Sequence, residues 1–288
     1  MAVSPVTVGV NVLLLGALYA VVAIGFTLIF GVGGILNLAH GALLTVGAYT
    51  AYYLVNAGIP VWVTVPIAGI VAATTGVVLY KGMLKKVADN PVSVLILSLV
   101  AGLIVEQVFL VLEGAQPLVV PGIVDGGVAV LGTDIELNRL IVFAISWLVI
   151  GALFLFVNET KTGQAILATS MSRKGAALVG IDADRVFTLP WVVAAGLAGI
   201  AGVFLATFQT VTPLMGRTPL LLSFSIVVLG GLGSIRGSVI GAYLISFLDQ
   251  ITVQYVSTRL AGVSGLVVLV IVLLVRPEGL FGRELTEG

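Results

Sequence analysis

NETKTGQAILATSMSRKGAALVGIDADRV, residues 158–186, is the longest polar island in an otherwise apolar chain. It carries Glu159, Lys161, Arg173, Lys174, Asp182, Asp184 and Arg185. Apolar runs flank it on both sides, each long enough to cross a bilayer, since about 20 residues at 1.5 Å rise span the ~30 Å hydrocarbon core. Its middle, residues 163–179, has few helix breakers and spaces Ile166, Met171, Ala177 and Leu178 among polar residues. The pattern predicts a short helix lying outside the lipid, with a turn at Gly180. Such a helix is either a docking element for a soluble partner or a solvated link between two spans, and these residues alone leave both readings open.

Composition points the same way. Of 288 residues, 59% are hydrophobic and only 9% are charged, against roughly 25% charged in a soluble domain. The mean hydropathy is +1.23. A core of this size cannot hide that much apolar surface from water, so lipid is the expected solvent. The formal net charge is zero and no basic run occurs, which gives nucleic acid nothing to bind. Cysteine is absent, removing disulfides and thiolate metal sites. The 36 glycines suit membrane helices that approach closely through small residues. The first ten residues, MAVSPVTVGV, lack Lys and Arg, a poor secretory signal, so the first run is read as a retained span.

Outward from the island, apolar runs cover about 9–30, 42–55, 61–80, 91–112, 140–157, 187–211, 219–229, 238–256 and 260–275. The expected fold is an all-α integral membrane bundle of eight or nine transmembrane helices in a single domain, 1–288. Two Gly-rich breaks interrupt it, GVGGILNLAHG at 31–41 and GGLGSIRG at 230–237. Irregular backbone at membrane depth survives only where protein or a water-filled cavity satisfies it. Residues 113–138 form a Gly/Pro-rich acidic loop with Glu113, Asp125, Asp134 and Glu136, in which GVAVLG could make a small hairpin. If each run crosses once, ten of the 13 basic residues fall on one side, and only Arg139, Arg217 and Arg259 on the other. The excess places the 158–186 segment and the C-terminus in the cytoplasm and the 113–138 loop outside. Residues 37–49 (NLAHGALLTVGAY) and 234–243 (SIRGSVIGAY) echo each other. The echo fits a duplicated half with a broken helix, and it equally fits chance likeness of Gly/Ala-rich helices.

Few residues could carry chemistry. His40 is the only histidine, without cysteine or a nearby carboxylate, so neither a metal site nor a nucleophilic triad is supported. Asn37 and His40 stand i, i+3 apart beside Gly41. They could line a pathway or mark a hinge; alternatively Asn37 caps the second helix and His40 satisfies loose backbone groups. Glu106 and Asp249 sit within apolar runs, where a carboxylate costs about 2.5–3.5 kcal/mol. They should face the bundle interior, hydrogen-bonded or protonated, either as a proton relay or amine site or as a polar lock between helices. No Lys or Arg pairs with them unless Arg236 or Arg259 dips inward. Gly230, Gly231, Gly233 and Gly237 are the second set of hinge candidates. No P-loop, HExxH or GxSxG stretch occurs, so the chain presents no enzyme site, no cofactor site and no ATP site of its own.

Three stretches together resemble the permease subunits of ABC importers for branched-chain amino acids, collinear over nearly the whole chain. They are GFTLIFGVGGILNLAHGALLTVGAY (25–49), AALVGIDADRVFTLPWVVAAGLAGIAGVFLA (176–206), and VLGGLGSIRGSVIGAYL (228–244), with RPEGLFG (276–282) closing the chain. Asn-Leu-Ala-His-Gly resembles the shorter, H-type subunit; sugar permeases of the superfamily usually show Asp-Leu-Ser-Val-Gly there. The resemblance implies a plasma-membrane permease paired with a second, homologous permease. Two cytoplasmic ATPase subunits would bind the ATP, and an extracytoplasmic binding protein would deliver the substrate. It also implies that the island is the ATPase-coupling segment, with Ala176, Gly180, Ile181, Asp184 and Arg185 on the family pattern and Arg173 just before it. Leu167 stands where the family often has Arg, and residues 170–173 replace an acidic or amide-rich turn. Leu, Ile and Val are the substrates implied, with urea or short amides as the alternative within the family. Outside it, the competing reading is a self-sufficient ion-coupled transporter or channel using Glu106 and Asp249.

Overall fold

In lipid a backbone must satisfy its own hydrogen bonds, which favours helices. The computed structural model describes residues 5–88, 90–130, 133–276 and 278–281, and their side chains except at 32, 130, 133, 173 and 183–185. It is built almost entirely of helices: α1 Pro5–Gly33, α2 His40–Asn56, α3 Val61–Gly82, α4 Pro91–Glu113, α5 Leu137–Glu159, α6 Lys161–Met171, α7 Arg173–Leu178, α8 Ala183–Ala206, α9 Arg217–Gly230, α10 Ile235–Ile251 and α11 Val263–Val275. Among the described residues, six helices are long and apolar enough to cross a membrane, namely α1, α3, α4, α5, α8 and α10 with its continuation to Val256. The other three expected spans are shorter. α2 has 17 residues, α9 has 14 and α11 has 13, about 20–26 Å each.

Sequence chemistry sets the ends. Asn90 caps α4 by accepting from Val92 and Ser93 N–H at 3.1 and 3.2 Å, with Pro91 at the first helical position. The expected hairpin forms: β1 Gly127–Val130 pairs antiparallel with β2 Thr133–Glu136, Gly127 opposite Glu136. Among the described residues it is the one paired sheet, a departure from the all-α fold expected. Leu118 and Val211 exchange backbone hydrogen bonds of 2.9 and 2.8 Å, and Asn138 Oδ1 accepts from Ile123 N–H while its Nδ2 donates to Thr207 Oγ1. These ties bind the loop after α4 to the turn after α8.

The centre is α1, α2 and α8. The apolar windows of α1 and α8 are 78% and 72% buried, against 22–33% for the other long spans. Small residues permit this. A Cβ on Gly47 of α2 would collide with the Gly199 carbonyl of α8, and one on Gly202 with the Leu44 carbonyl. On its other side Gly199 sits against Ala68 and Ala72 of α3. Lipid tails are as apolar as Leu, so backbone-to-backbone approach takes the place of the hydrophobic drive.

Candidate functional site

The polar island folds as two helices rather than the single one its spacing predicts. Thr160 opens α6 by accepting from Gly163 N–H at 3.0 Å, and Ser172 opens α7 by accepting from Gly175 N–H at 3.0 Å. Ser172 is extended, at φ −157°, so a second cap splits the run where the sequence shows only a polar residue. α6 is held down by Ile166, buried with Val186 among Phe156, Ile181, Phe187 and Leu189. Gly163 presses on the Phe156 and Val157 backbone at the end of α5.

The Ala176, Gly180, Ile181 spacing is explained by how α7 stops. Gly180 takes φ +79°. Its N–H donates to Ala177 O at 3.1 Å, and Ile181 N–H reaches back to Ala176 O at 3.1 Å. This pair is the Schellman arrangement, with Gly at the left-handed position. Ala176 is buried and Ile181 half-buried, so both face the chain itself. What the turn presents outward is Leu178 and Val179, 88% and 76% exposed. Sequence reasoning took Leu178 as part of the helix spacing and missed the tip. The signal was available, since two large apolar residues just before a helix-stopping Gly fall at the apex of a turn. The side chains of Arg173, Asp184 and Arg185 lie outside the described residues.

The two Gly-rich breaks meet in space. Gly31 packs on Gly233, where a Cβ would lie 3.3 Å from the Gly233 Cα. Gly34, Gly231 and Gly233 have φ of 63°, 99° and 85°. Gly230 and Gly237 touch backbone to backbone where α9 crosses α10, leaving no room for a side chain at either. Thr27 and Ser238 join α1 to α10 through their hydroxyls at 2.5 Å. Ser234 caps α10 by accepting from Gly237 N–H. The chain's last described residues close over this knot: Leu280 N–H donates to Leu229 O at 2.8 Å, Phe281 N–H to Gly230 O at 3.2 Å, and Gly279 lies against Gly231.

Asn37 and His40 are buried, at 1% and 0% exposure, so in this packing they do not line an open pathway. Asn37 Oδ1 accepts from Ala39 N–H at 3.0 Å, tightening the entry to α2. His40 Nε2 donates to Val22 O at 3.1 Å, its ring edge-on to Phe26. Gly25 makes space for that ring. Asn37 therefore does not cap α2, whose N-cap is Ala39; its oxygen and the His40 ring each satisfy one backbone group instead. Among the described residues Asn37 Nδ2 and His40 Nδ1 have no partner. Gly41 stacks on the Gly216 backbone, just before α9.

Glu106 and Asp249 are not brought to one site. Asp249 Oδ1 accepts from Gly262 N–H at 2.7 Å and Ser264 Oγ at 3.2 Å; it caps α11, the polar lock weighed from the sequence. Glu106 is gripped by Arg217, whose Nε lies 3.1 and 3.2 Å from the two oxygens and whose Nη2 lies 2.7 Å from Oε2. The sequence offers Arg236 and Arg259 as partners, but Glu106 takes Arg217, and Arg236 lies over the Phe154 ring. Arg217 was missed because it reads as part of a turn, whereas α9 begins on it. Among the described residues no cluster of His, Cys, Asp or Glu could hold a metal ion.

Residues 9–275 match the family model described as branched-chain amino acid transport system / permease component. The chain is 30% identical to the high-affinity branched-chain amino acid transport system permease protein LivH of Escherichia coli K12, covering 96% of this chain and 95% of that one. It is 28% identical to the corresponding BraD protein of Pseudomonas aeruginosa, over 96% of each. The ribose import permease protein RbsC of Haemophilus influenzae is more distant, 24% identical over 83% of this chain and 75% of its own. In fold the chain is similar to a chain of PsaBC from Streptococcus pneumoniae in complex with Fab, with TM-score 0.51, 14% identity and coverage of 93% and 91%.

Proposed function

Because this chain belongs to the branched-chain amino acid transport system permease family, we propose that it forms half of the membrane pathway of an ATP-driven importer for Leu, Ile and Val. A second, homologous permease supplies the other half. Two ATPase subunits dock on the cytoplasmic face, and a binding protein delivers substrate from outside. In this reading α2, α9 and α11 cross with the six long helices, which puts the N-terminus outside and both the 158–186 segment and the C-terminus in the cytoplasm. The observation that carries the reading is the α6–α7 segment, set between two spans and ending in an exposed Leu178–Val179 tip. An apolar tip on a capped turn suits a groove on a moving soluble partner. Its anchor through Ile166 and Val186 connects it to the start of α8, and so to the bundle centre. ATP-driven closure of the motor would then rock the packed helices between outward- and inward-facing arrangements.

The test is reconstitution of the co-expressed permeases and ATPases in vesicles with the binding protein. Labelled leucine should accumulate only with ATP, and excess isoleucine or valine should displace it. Accumulation by this chain alone under an ion gradient would replace the proposal with a secondary transporter. Uptake of urea but not leucine would keep the motor and change the cargo.

A further inference from the structure

The Glu106–Arg217 pair stands where lipid would not tolerate it. α4 runs 23 residues to Glu113, about 34 Å, enough to cross the ~30 Å hydrocarbon core. Glu106 falls seven residues short of that end, about 10 Å inward. Arg217 meets it there, with the Glu106 side chain 12% exposed and that of Arg217 53% exposed. A charge presented to hydrocarbon at this depth is costly, and intramembrane ionisable groups face protein or a water-filled cavity. The surface around the pair has a definite character. One turn toward the cytoplasmic side, Leu103 on α4 and Leu221 on α9 are 45% and 47% exposed. Each precedes or follows its charged residue by helical spacing, at i−3 and i+4, so each shares its face. The patch is therefore a bidentate carboxylate–guanidinium pair above an aliphatic floor.

We propose that this patch lines the outer vestibule of the pathway and is a way-station for a zwitterionic, branched aliphatic amino acid. The substrate's ammonium goes to Glu106, its carboxylate to Arg217, and its side chain lies against Leu103 and Leu221. A planar guanidinium suits a carboxylate, and an opened ion pair is complementary to a zwitterion, charge for charge. The site opens on its Arg217 side and its charges are already paired, so it binds weakly, as a transit site must. The proposal rests on the importer reading above.

Two measurements test it in the assembled transporter. The chain has no cysteine, so Thr218→Cys and Leu221→Cys each introduce a single thiol in this subunit. Both should react with a membrane-impermeant thiol reagent applied from outside; a reagent that reaches neither overturns the vestibule. In variants that still co-purify with their partners, Glu106→Gln and Arg217→Gln should each raise the KM for leucine at least tenfold. The exchange Glu106→Arg with Arg217→Glu restores an ion pair but reverses its polarity, and the KM should stay high. Full recovery by the exchange, or an unchanged KM in the single variants, would show a structural bridge and overturn the proposal. If the unsubstituted transporter carries a neutral amide and no amino acid, the zwitterion assignment falls with the substrate, while thiol labelling still reports the vestibule separately.

Discussion

Asp249 shows how a single buried carboxylate can be mistaken for machinery. Its surroundings in the sequence are apolar, and only the fold shows that Gly262 N–H and Ser264 Oγ point at Oδ1. An asparagine presents the same acceptor oxygen without the charge. Asp249→Asn is therefore expected to transport within about twofold of the parent, while Asp249→Ala leaves the start of α11 uncapped and costs about 1–3 kcal/mol, read as a lower melting temperature in detergent. An inactive but normally stable Asp249→Asn protein would instead show that the carboxylate does chemistry. Glu106 teaches the converse. Its cost within the bilayer was legible, but its partner stands 111 positions away, and sequence spacing carries no such pairing.

Among the elements, legibility follows the range of the forces involved. Long apolar runs declare themselves because lipid imposes one condition over 20 residues, and the hairpin at 127–136 because alternation and turn residues are local. The split between α6 and α7 was not legible, since Ser172 is a plausible helix residue until its hydroxyl takes the Gly175 N–H. The resemblance implies that Ala176, Gly180 and Ile181 belong to the coupling pattern, and their geometry is that of a helix stop. Gly180 tests the difference. A Cβ there would meet nothing within 4 Å, so Gly180→Ala costs only the left-handed backbone, about 1–2 kcal/mol. The proposed coupling tip Leu178–Val179 would shift while the bundle keeps its packing. We expect leucine uptake to fall severalfold more than ATP hydrolysis in the assembled transporter, with an unchanged melting temperature of the transmembrane core. Gly180→Asn, which tolerates the left-handed region better, should lie between. Equal loss of uptake and hydrolysis would mean that the turn holds the complex together rather than transmitting force.

Across the whole molecule, the two Gly-rich breaks come together at one place. Residues near 31 and 233 are some 200 positions apart, yet Gly31 and Gly233 touch and the chain's end closes over them. α1, at the centre, and α10 are fastened there by Thr27 and Ser238. A bundle that rocks as bodies must have places where backbone can adjust, and glycines at positive φ, packed without side chains, are suited to it. If the knot opens in each transport cycle, fixing it must stop the cycle. Gly31→Cys with Gly233→Cys provides the means, because a Cβ on Gly31 falls 3.3 Å from the Gly233 Cα and no native thiol competes. Cysteine at position 233 accepts about 1–2 kcal/mol of backbone strain, so the reduced protein should transport at a lowered but measurable rate. Oxidation should then abolish ATP-driven leucine uptake, and a reductant should restore it within the same preparation. Uptake that continues through a fully formed cross-link would assign the knot to static packing and move the hinge elsewhere, the crossing of α2 and α8 at Gly47 and Gly199 being the next tight contact to probe.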